Sequence, residues 1–214
     1  MSVLTAYQPT LMELRTGFNP SGWLAEDVPA FLVRNESSRA AAHCANVAMA
    51  ARKLAERFKV DARAAEAGGW LHDVSAVWLD DQRLAAADAL GVGVLEVERA
   101  WPKIVHQKLS VVLAREVFQV RDAGVLSAVG CHTTLKAGAN PLDKVVFIAD
   151  KLAWDEPYDA PWHPELREAL HSHWTTAAGC ICADYGSSGK SWRFSIPGRK
   201  RRAESLRYCR VHAA

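Results

Sequence analysis

The chain has 214 residues and a mass of 23.5 kDa, half of the residues are hydrophobic and 23% are charged, a globular composition that excludes a wholly disordered chain and suits one domain of ordinary size. No apolar run approaches the roughly 18 residues a membrane helix needs, and no basic stretch followed by an apolar one opens the chain, so a cytoplasmic protein is expected. Five unevenly spaced cysteines (Cys44, Cys131, Cys180, Cys182, Cys209), without a C-x-x-C pair, read as thiols of a reducing compartment and not as a disulfide framework or zinc ribbon.

The elements read as helix after helix. Residues 1–35 hold Pro9, Pro20 and Pro29 among scattered apolar residues and form an N-terminal extension packed on the core. From 37 to 58, His43, Val47, Ala50, Leu54 and Phe58 make one helical stripe, with Ser37 or Ser38 as cap. Asp61 caps a second helix running to about Asp73. Asp80 or Asp81 starts a third, stopped by Gly91. Pro102 suits the first turn of a fourth, through Leu109 and Leu113 to Val117. Asp122 caps a fifth through Val129, Asn140 with Pro141 opens a sixth through Leu152, and Pro164 opens a seventh within 161–185. Only 192–196 alternates like a strand. The fold class is therefore all-α: a compact bundle with its main domain over 36–160, a C-terminal helix over 161–185 and a tail over 186–214. That tail carries eight Lys/Arg against Glu204 alone, a net +7. With +2 for the whole chain, residues 1–185 stand at −5.

Chemistry gathers in six polar groups: His43, then His72–Asp73, then His106, His132 and Asp150. Each falls on or at the end of a separate helix, with His72 and Asp73 adjacent. Imidazole and carboxylate together suit iron, manganese, zinc or a similar divalent ion, and a helical bundle can aim such groups at one point. Adjacent His and Asp can reach one ion if they sit at a helix end, and Gly68 and Gly69 upstream allow close helix approach there. A lone histidine on an amphipathic helix is ordinarily a surface or satisfied core residue, and a lone aspartate a cap. Asp150 is different: it follows Val145-Val146-Phe147-Ile148-Ala149, where an unpaired carboxylate is costly unless a metal or cation stands beside it. Lys151, as the next residue, is expected to point elsewhere on the helix.

The order H…HD…H…H…D resembles the HD-domain superfamily of metal-dependent phosphohydrolases, collinearly over roughly residues 27–158. It looks most like the YqeK-like branch, which includes the symmetrical bis(5′-nucleosyl)-tetraphosphatases. The resembling segments are Arg39-Ala40-Ala41-Ala42-His43, Ala67-Gly68-Gly69-Trp70-Leu71-His72-Asp73, Pro102-x-x-x-His106, Cys131-His132-Thr133-Thr134 and Asp143 through Asp150-Lys151. The resemblance implies an all-α fold and metal ligation by His43, His72, Asp73 and Asp150. It further implies that His106 and His132 lie near a second metal or contact substrate phosphate. Asp73, His106 and His132 are the candidate catalytic groups, and His106, His132 and Thr133 the candidate substrate contacts. It implies one or two divalent ions, iron first, with manganese, zinc, magnesium or nickel as the others, and a nucleotide substrate, best matched by diadenosine tetraphosphate cleaved symmetrically to ADP.

Two departures bear on substrate. Relatives of this branch carry a lysine three positions after the HD aspartate, where this chain has Ala76, and an arginine several residues after the last aspartate, where it has none in Leu152–Tyr158. Lys108, Lys136 and Lys151 are candidates to compensate, against the ordinary reading of solvated lysines. Gly189-Lys190-Ser191 lacks the rest of a phosphate-binding loop. His163, His171 and His173 fall outside the motif order and read as surface residues. Trp70, Trp78 and Trp154 read as core, or as a platform for a base. Three readings thus stand: the tetraphosphatase, a nucleotidase or phosphodiesterase of the same fold acting on another nucleotide, and a non-catalytic module binding a nucleotide, or a nucleic acid through the 186–214 tail. A homodimer is compatible with each.

Overall fold

The computed structural model describes residues 9–153 together with Leu166 and Leu170. Nine helices and two 3₁₀ turns are found among the described residues, and no strand. The helices are α1 (Leu11–Arg15), α2 (Leu24–Arg34), α3 (Ser38–Phe58), α4 (Ala62–Leu71), α5 (Arg83–Ala89), α6 (Glu96–Ala100), α7 (His106–Glu116), α8 (Ala123–Cys131) and α9 (Pro141–Leu152). The 3₁₀ turns are Val74–Val77 and Pro102–Val105. The all-α bundle expected from the apolar periodicity is the observed fold. The seventh expected helix (apart from Leu166 and Leu170), the 192–196 strand and the basic tail lie outside the described residues.

Local chemistry explains most element ends. Asp61 accepts from the backbone N–H of Arg63 and Ala64, Asp122 from that of Val125, and Asn140 and Asp143 form a reciprocal capping box at α9. Three starts differ from expectation. Ser37 holds the N-cap position of α3 but donates its hydroxyl to the carbonyls of Asn35 and Ala76, so it ties α3 to the turn after Asp73 instead of capping. The third helix begins at Arg83 and not at Asp80 or Asp81. Asp80 pairs with Arg83 at 2.8 Å and with Lys103 at 3.2 Å. The segment from Pro102 winds as a 3₁₀ turn before α7 opens at His106.

Two apolar clusters surround the polar centre. One joins Phe31 and Leu32 of α2 to Leu71, Val74, Trp78, Leu109, Leu113 and Val129. The other packs Val47, Ala51 and Leu54 of α3 against Val145, Phe147 and Ile148 of α9, with Leu166 and Leu170. Trp78 is a core residue whose indole donates to the Pro9 carbonyl at 2.8 Å, so the reading as a base platform does not hold for it. Trp154 lies outside the described residues. The glycines before His72 permit the tightest approach. A Cβ at Gly69 would sit 2.5 Å from the Cα of Ala48, and one at Gly68 would sit 2.8 Å from a methyl of Val146. α4 therefore lies directly on α3 and α9, which brings its C-terminus to His43 and Asp150.

Candidate metal centre

The fold brings all six polar groups together. α4 ends at Leu71. His72 still has helical dihedrals, but Asp73 turns away at φ −117° and ψ 22°, so the adjacent side chains converge on one point instead of diverging by helical spacing. His43 comes from the first half of α3, Asp150 from the last turn of α9, His106 from the first residue of α7, and His132 from the residue after α8. His43 Nε2 lies 3.2 Å from Asp150 Oδ1, and His72 Nε2 lies 3.6 Å from the same oxygen and 3.8 Å from Asp73 Oδ2. The other Asp73 oxygen faces His106 Nε2 at 3.3 Å and His132 Nε2 at 3.7 Å, and these two ring nitrogens are 2.9 Å apart. Two sets of potential ligand atoms result, His43–His72–Asp150 and His72–Asp73–His132.

The hydrogen bonds fix what each ring presents. Nδ1 of His72 lies 2.8 Å from the Gly69 carbonyl, Nδ1 of His132 lies 2.8 Å from that of Val129, and Nδ1 of His106 contacts that of Lys103. A carbonyl only accepts, so each Nδ1 carries a proton and each ring turns Nε2 inward, where its neutral form offers a lone pair. His72 Nε2 is buried and has no hydrogen-bond partner. It looks only at carboxylate oxygens, which are acceptors too. A buried ring of acceptors facing acceptors is costly when empty and is the donor set a divalent cation requires. The residues present therefore fit a metal ion.

The electrostatics agree. Burial works against charge on Asp73, and the positive charge that His72, His106 and His132 carry when protonated works the other way, leaving its carboxyl below the usual range. For Asp150, burial is overcome by Lys151, by the hydrogen bond to His43 and by His72, again leaving the carboxyl well below normal. Burial pushes His132 far down, with His106 and His72 adding to it. Burial also lowers His106, which Asp73 resists and Arg83 reinforces. Two carboxylates are thus ionised and two imidazoles neutral, the protonation states in which they ligate. Cys44, beside His43, is fully buried, and desolvation with the charge of Asp73 raises its thiol well above the ordinary value, so it is no nucleophile.

Lys151 corrects an expectation. Although it follows Asp150 directly on α9, its four-carbon stem carries the ammonium to Asp150 Oδ2 at 2.5 Å, and the head also lies 5.1 Å from the Phe147 ring centre. Asp150 thus divides its oxygens, one to Lys151 and one toward the histidines. The other two lysines are engaged as well. Lys108 pairs with Glu98 at 2.6 Å and donates to the Gly93 carbonyl, and Lys136 contacts Ser127 and pairs with Asp143 at 3.3 Å. Thr133 is buried with its hydroxyl 3.0 Å from His106 Nε2, and Thr134 meets the side chain of Gln107. Gln107 and Arg83 escaped the sequence reading. The signal for Gln107 was its place beside His106. Arg83 gave none, because its guanidinium reaches the Lys103 carbonyl, at 3.0 Å, only through the fold.

Residues 40–155, just over half the chain, match the HD domain family. The chain is 44% identical over 110 residues to an uncharacterized protein in the pepC 5′ region of Lactococcus lactis subsp. cremoris, covering 51% of this chain and 56% of that one. It is 30% identical over 114 residues to a probable nicotinate-nucleotide adenylyltransferase/Ap4A hydrolase of Mycoplasma genitalium, covering 51% and 31%. It is 27% identical over 110 residues to the symmetrical bis(5′-nucleosyl)-tetraphosphatase of Bacillus subtilis, covering 50% and 58%. It therefore spans less than two thirds of each of these relatives. A crystal structure of a predicted HD superfamily hydrolase involved in NAD metabolism from Clostridium acetobutylicum shares the fold, with a TM-score of 0.63 at 23% identity over 70% of this chain and 78% of that one.

Proposed function

Because the chain belongs to the HD domain family, we propose that it is a metal-dependent phosphohydrolase of nucleotides, with the symmetrical hydrolysis of diadenosine tetraphosphate to two ADP as the first reaction to test. The observation that carries the reading is His72 Nε2, a buried lone pair without a hydrogen-bond partner, aimed between the carboxylates of Asp73 and Asp150. His43, His72, Asp73 and Asp150 would hold the first divalent ion, for which iron is the leading candidate and manganese the convenient substitute. His72 has one inward lone pair and cannot serve two ions, but Asp73 has two oxygens, one toward His72 and one toward His106 and His132. That division supports a second ion on the His106–His132 edge. It favours ligation there over direct phosphate contact, because neutral rings with protonated Nδ1 present acceptors, and phosphate oxygens are acceptors as well.

Bound ions would supply an acidified water near neutral pH and positive charge for the phosphate oxygens. The chain's own residues shape that chemistry. Asp73, with 30% of its side chain exposed against 15% or less for the other five, stands at the mouth, where it can accept a hydrogen bond from the attacking water. Thr133 places its hydroxyl at the edge of the site, 3.0 Å from His106 Nε2. No helix of the described residues is long and apolar enough to cross a membrane, and we place the protein in the cytoplasm, with a homodimer to be tested by light scattering.

The decisive assay loads the full chain with iron or manganese and offers a nucleotide panel. ADP as sole nucleotide product from diadenosine tetraphosphate supports the reading in full. Turnover of a nucleoside monophosphate or another nucleotide instead keeps the phosphohydrolase and replaces the substrate. The engagement of Lys108, Lys136 and Lys151 within the protein, together with Ala76, favours this second outcome, because a long polyphosphate needs cations to hold it. Nucleotide binding with no turnover across the panel would leave a non-catalytic module and overturn the proposal.

A further inference from the structure

His106 opens α7 and His132 follows the last residue of α8, and neither helix by itself fixes how closely the two rings approach. The neighbours of each histidine do that work. Gln107, only 4% exposed, accepts from the Thr133 backbone N–H at 3.2 Å through Oε1 and donates from Nε2 to the Thr134 hydroxyl at 3.0 Å. Thr133, so anchored, places its hydroxyl 3.0 Å from His106 Nε2. Because Nδ1 of His106 is committed to the Lys103 carbonyl, Nε2 accepts and the Thr133 hydroxyl donates in the metal-free centre, a contact that an ion ligated by His106 would replace. The contacts close a ring: His106 to Gln107 along the chain, Gln107 to Thr133 through its amide, and Thr133 back to His106 through its hydroxyl. Within it two ring nitrogens, both acceptors, stand 2.9 Å apart. Nothing in their own chemistry favours that approach, so it is imposed from outside.

We propose that Gln107 is the positioning residue of the second donor edge: its amide clips the His132-Thr133-Thr134 turn to the start of α7 and thereby sets the spacing and orientation of His106 and His132. The inference rests on the metal-centre reading of that edge for its functional meaning, though its geometry stands independently of it. A buried amide that merely satisfied a local turn would stabilise the fold and leave the rings indifferent to its loss. The clip instead predicts that the two rings, and not the fold at large, respond.

The test uses the full chain with ¹⁵N-labelled histidine, metal-free, as wild type and as Gln107→Leu, which keeps similar volume and removes both polar arms. The ring nitrogens of His106 and His132 are expected to shift and to lose the single Nδ1-protonated pattern, while those of His43 and His72 stay in place. On addition of Mn²⁺ under chelator competition, the weaker of two binding steps should fall roughly 10- to 100-fold, the range for loss of a group that orients a ligand, with the tighter step unchanged. Should Gln107→Leu fail to fold, Thr134→Val removes only the outer hydroxyl, and smaller shifts of the same two rings are expected. Unchanged His106 and His132 signals in a folded Gln107→Leu, or shifts spread equally over all four histidines, overturn the proposal. Absence of nucleotide turnover by the wild type strikes the phosphohydrolase reading instead, and the ring spectrum still decides the role of Gln107.

Discussion

The two edges of the polar centre are held by different physics. His43, His72 and Asp150 stand on α3, at the end of α4 and on α9, three helices packed over a dry core of Val47, Leu54, Val145 and Ile148, and their convergence follows from helix packing. His106 and His132 stand at helix ends and are joined by side-chain hydrogen bonds through Gln107 and Thr133. The first edge carries an ionised carboxylate and needs a cation of its own, which Lys151 provides. The second carries neutral rings and needs only carbonyls to take their Nδ1 protons. A charged ligand must be matched where it is buried, whereas a neutral one needs only to be oriented.

The largest expected effect falls on the first edge. Asp150→Asn keeps the shape, removes the charge between His43 and His72, and should lower Mn²⁺ affinity by more than about 100-fold, beyond what loss of an orienting neighbour causes. The wild type at Mn²⁺ 100 times its dissociation constant gains about 2.7 kcal/mol of stability, and the variant should show almost none of it in thermal melts with and without metal. An unchanged metal-induced rise in Tm would remove Asp150 from the centre. On the second edge, His132→Asn should retain the tighter ion by elemental analysis and lose roughly 10²-fold in kcat. Loss of both ions together would show that the two edges form a single cooperative site.

Next in size is a packing test. Gly69→Ala directs a methyl at the backbone of Ala48, 2.5 Å away, and backbone cannot yield as a side chain does. Prising α4 from α3 should cost about 3 kcal/mol by urea unfolding. It should also weaken metal binding, because the Gly69 carbonyl orients His72. Gly68→Ala meets a valine side chain instead of backbone, and should cost less.

What the sequence made legible follows the same division. α4, α8 and α9 could be read because an apolar stripe and a capping residue agree on each of them, at Asp61, Asp122 and Asn140, and α3 from its apolar stripe alone. The six polar groups could be read because their order resembles a known family and because a carboxylate after five apolar residues demands a partner. α1 and α6, at five residues each, are too short for a periodicity to declare itself, and α2 carries Pro29 in its interior, where proline ordinarily ends a helix. Lys151 was misjudged because helical spacing fixes where a Cβ points and not where the end of a long flexible stem returns. Gln107 and Arg83 act across contacts that only the folded chain creates, and no local pattern carries them.

The smallest test separates the two edges most finely. Asp61 caps α4, which ends in His72, and Asp122 caps α8, which ends in His132. Replacing either by alanine leaves backbone N–H groups at a helix start without their acceptor and should cost about 1 kcal/mol by urea unfolding. Each cap lies at the end of its helix away from the histidine. His72 remains pressed on α3 through Gly69, and His132 remains tied through Thr133 to Gln107, so neither variant should change Mn²⁺ affinity beyond about twofold, well inside the loss that follows removal of an orienting group. A larger fall in Asp122→Ala alone would mean that His132 takes its position from the whole of α8 and not from the clip at its end. The same fall in both would mean that helix rigidity, and not the local contacts of each edge, keeps the six groups together.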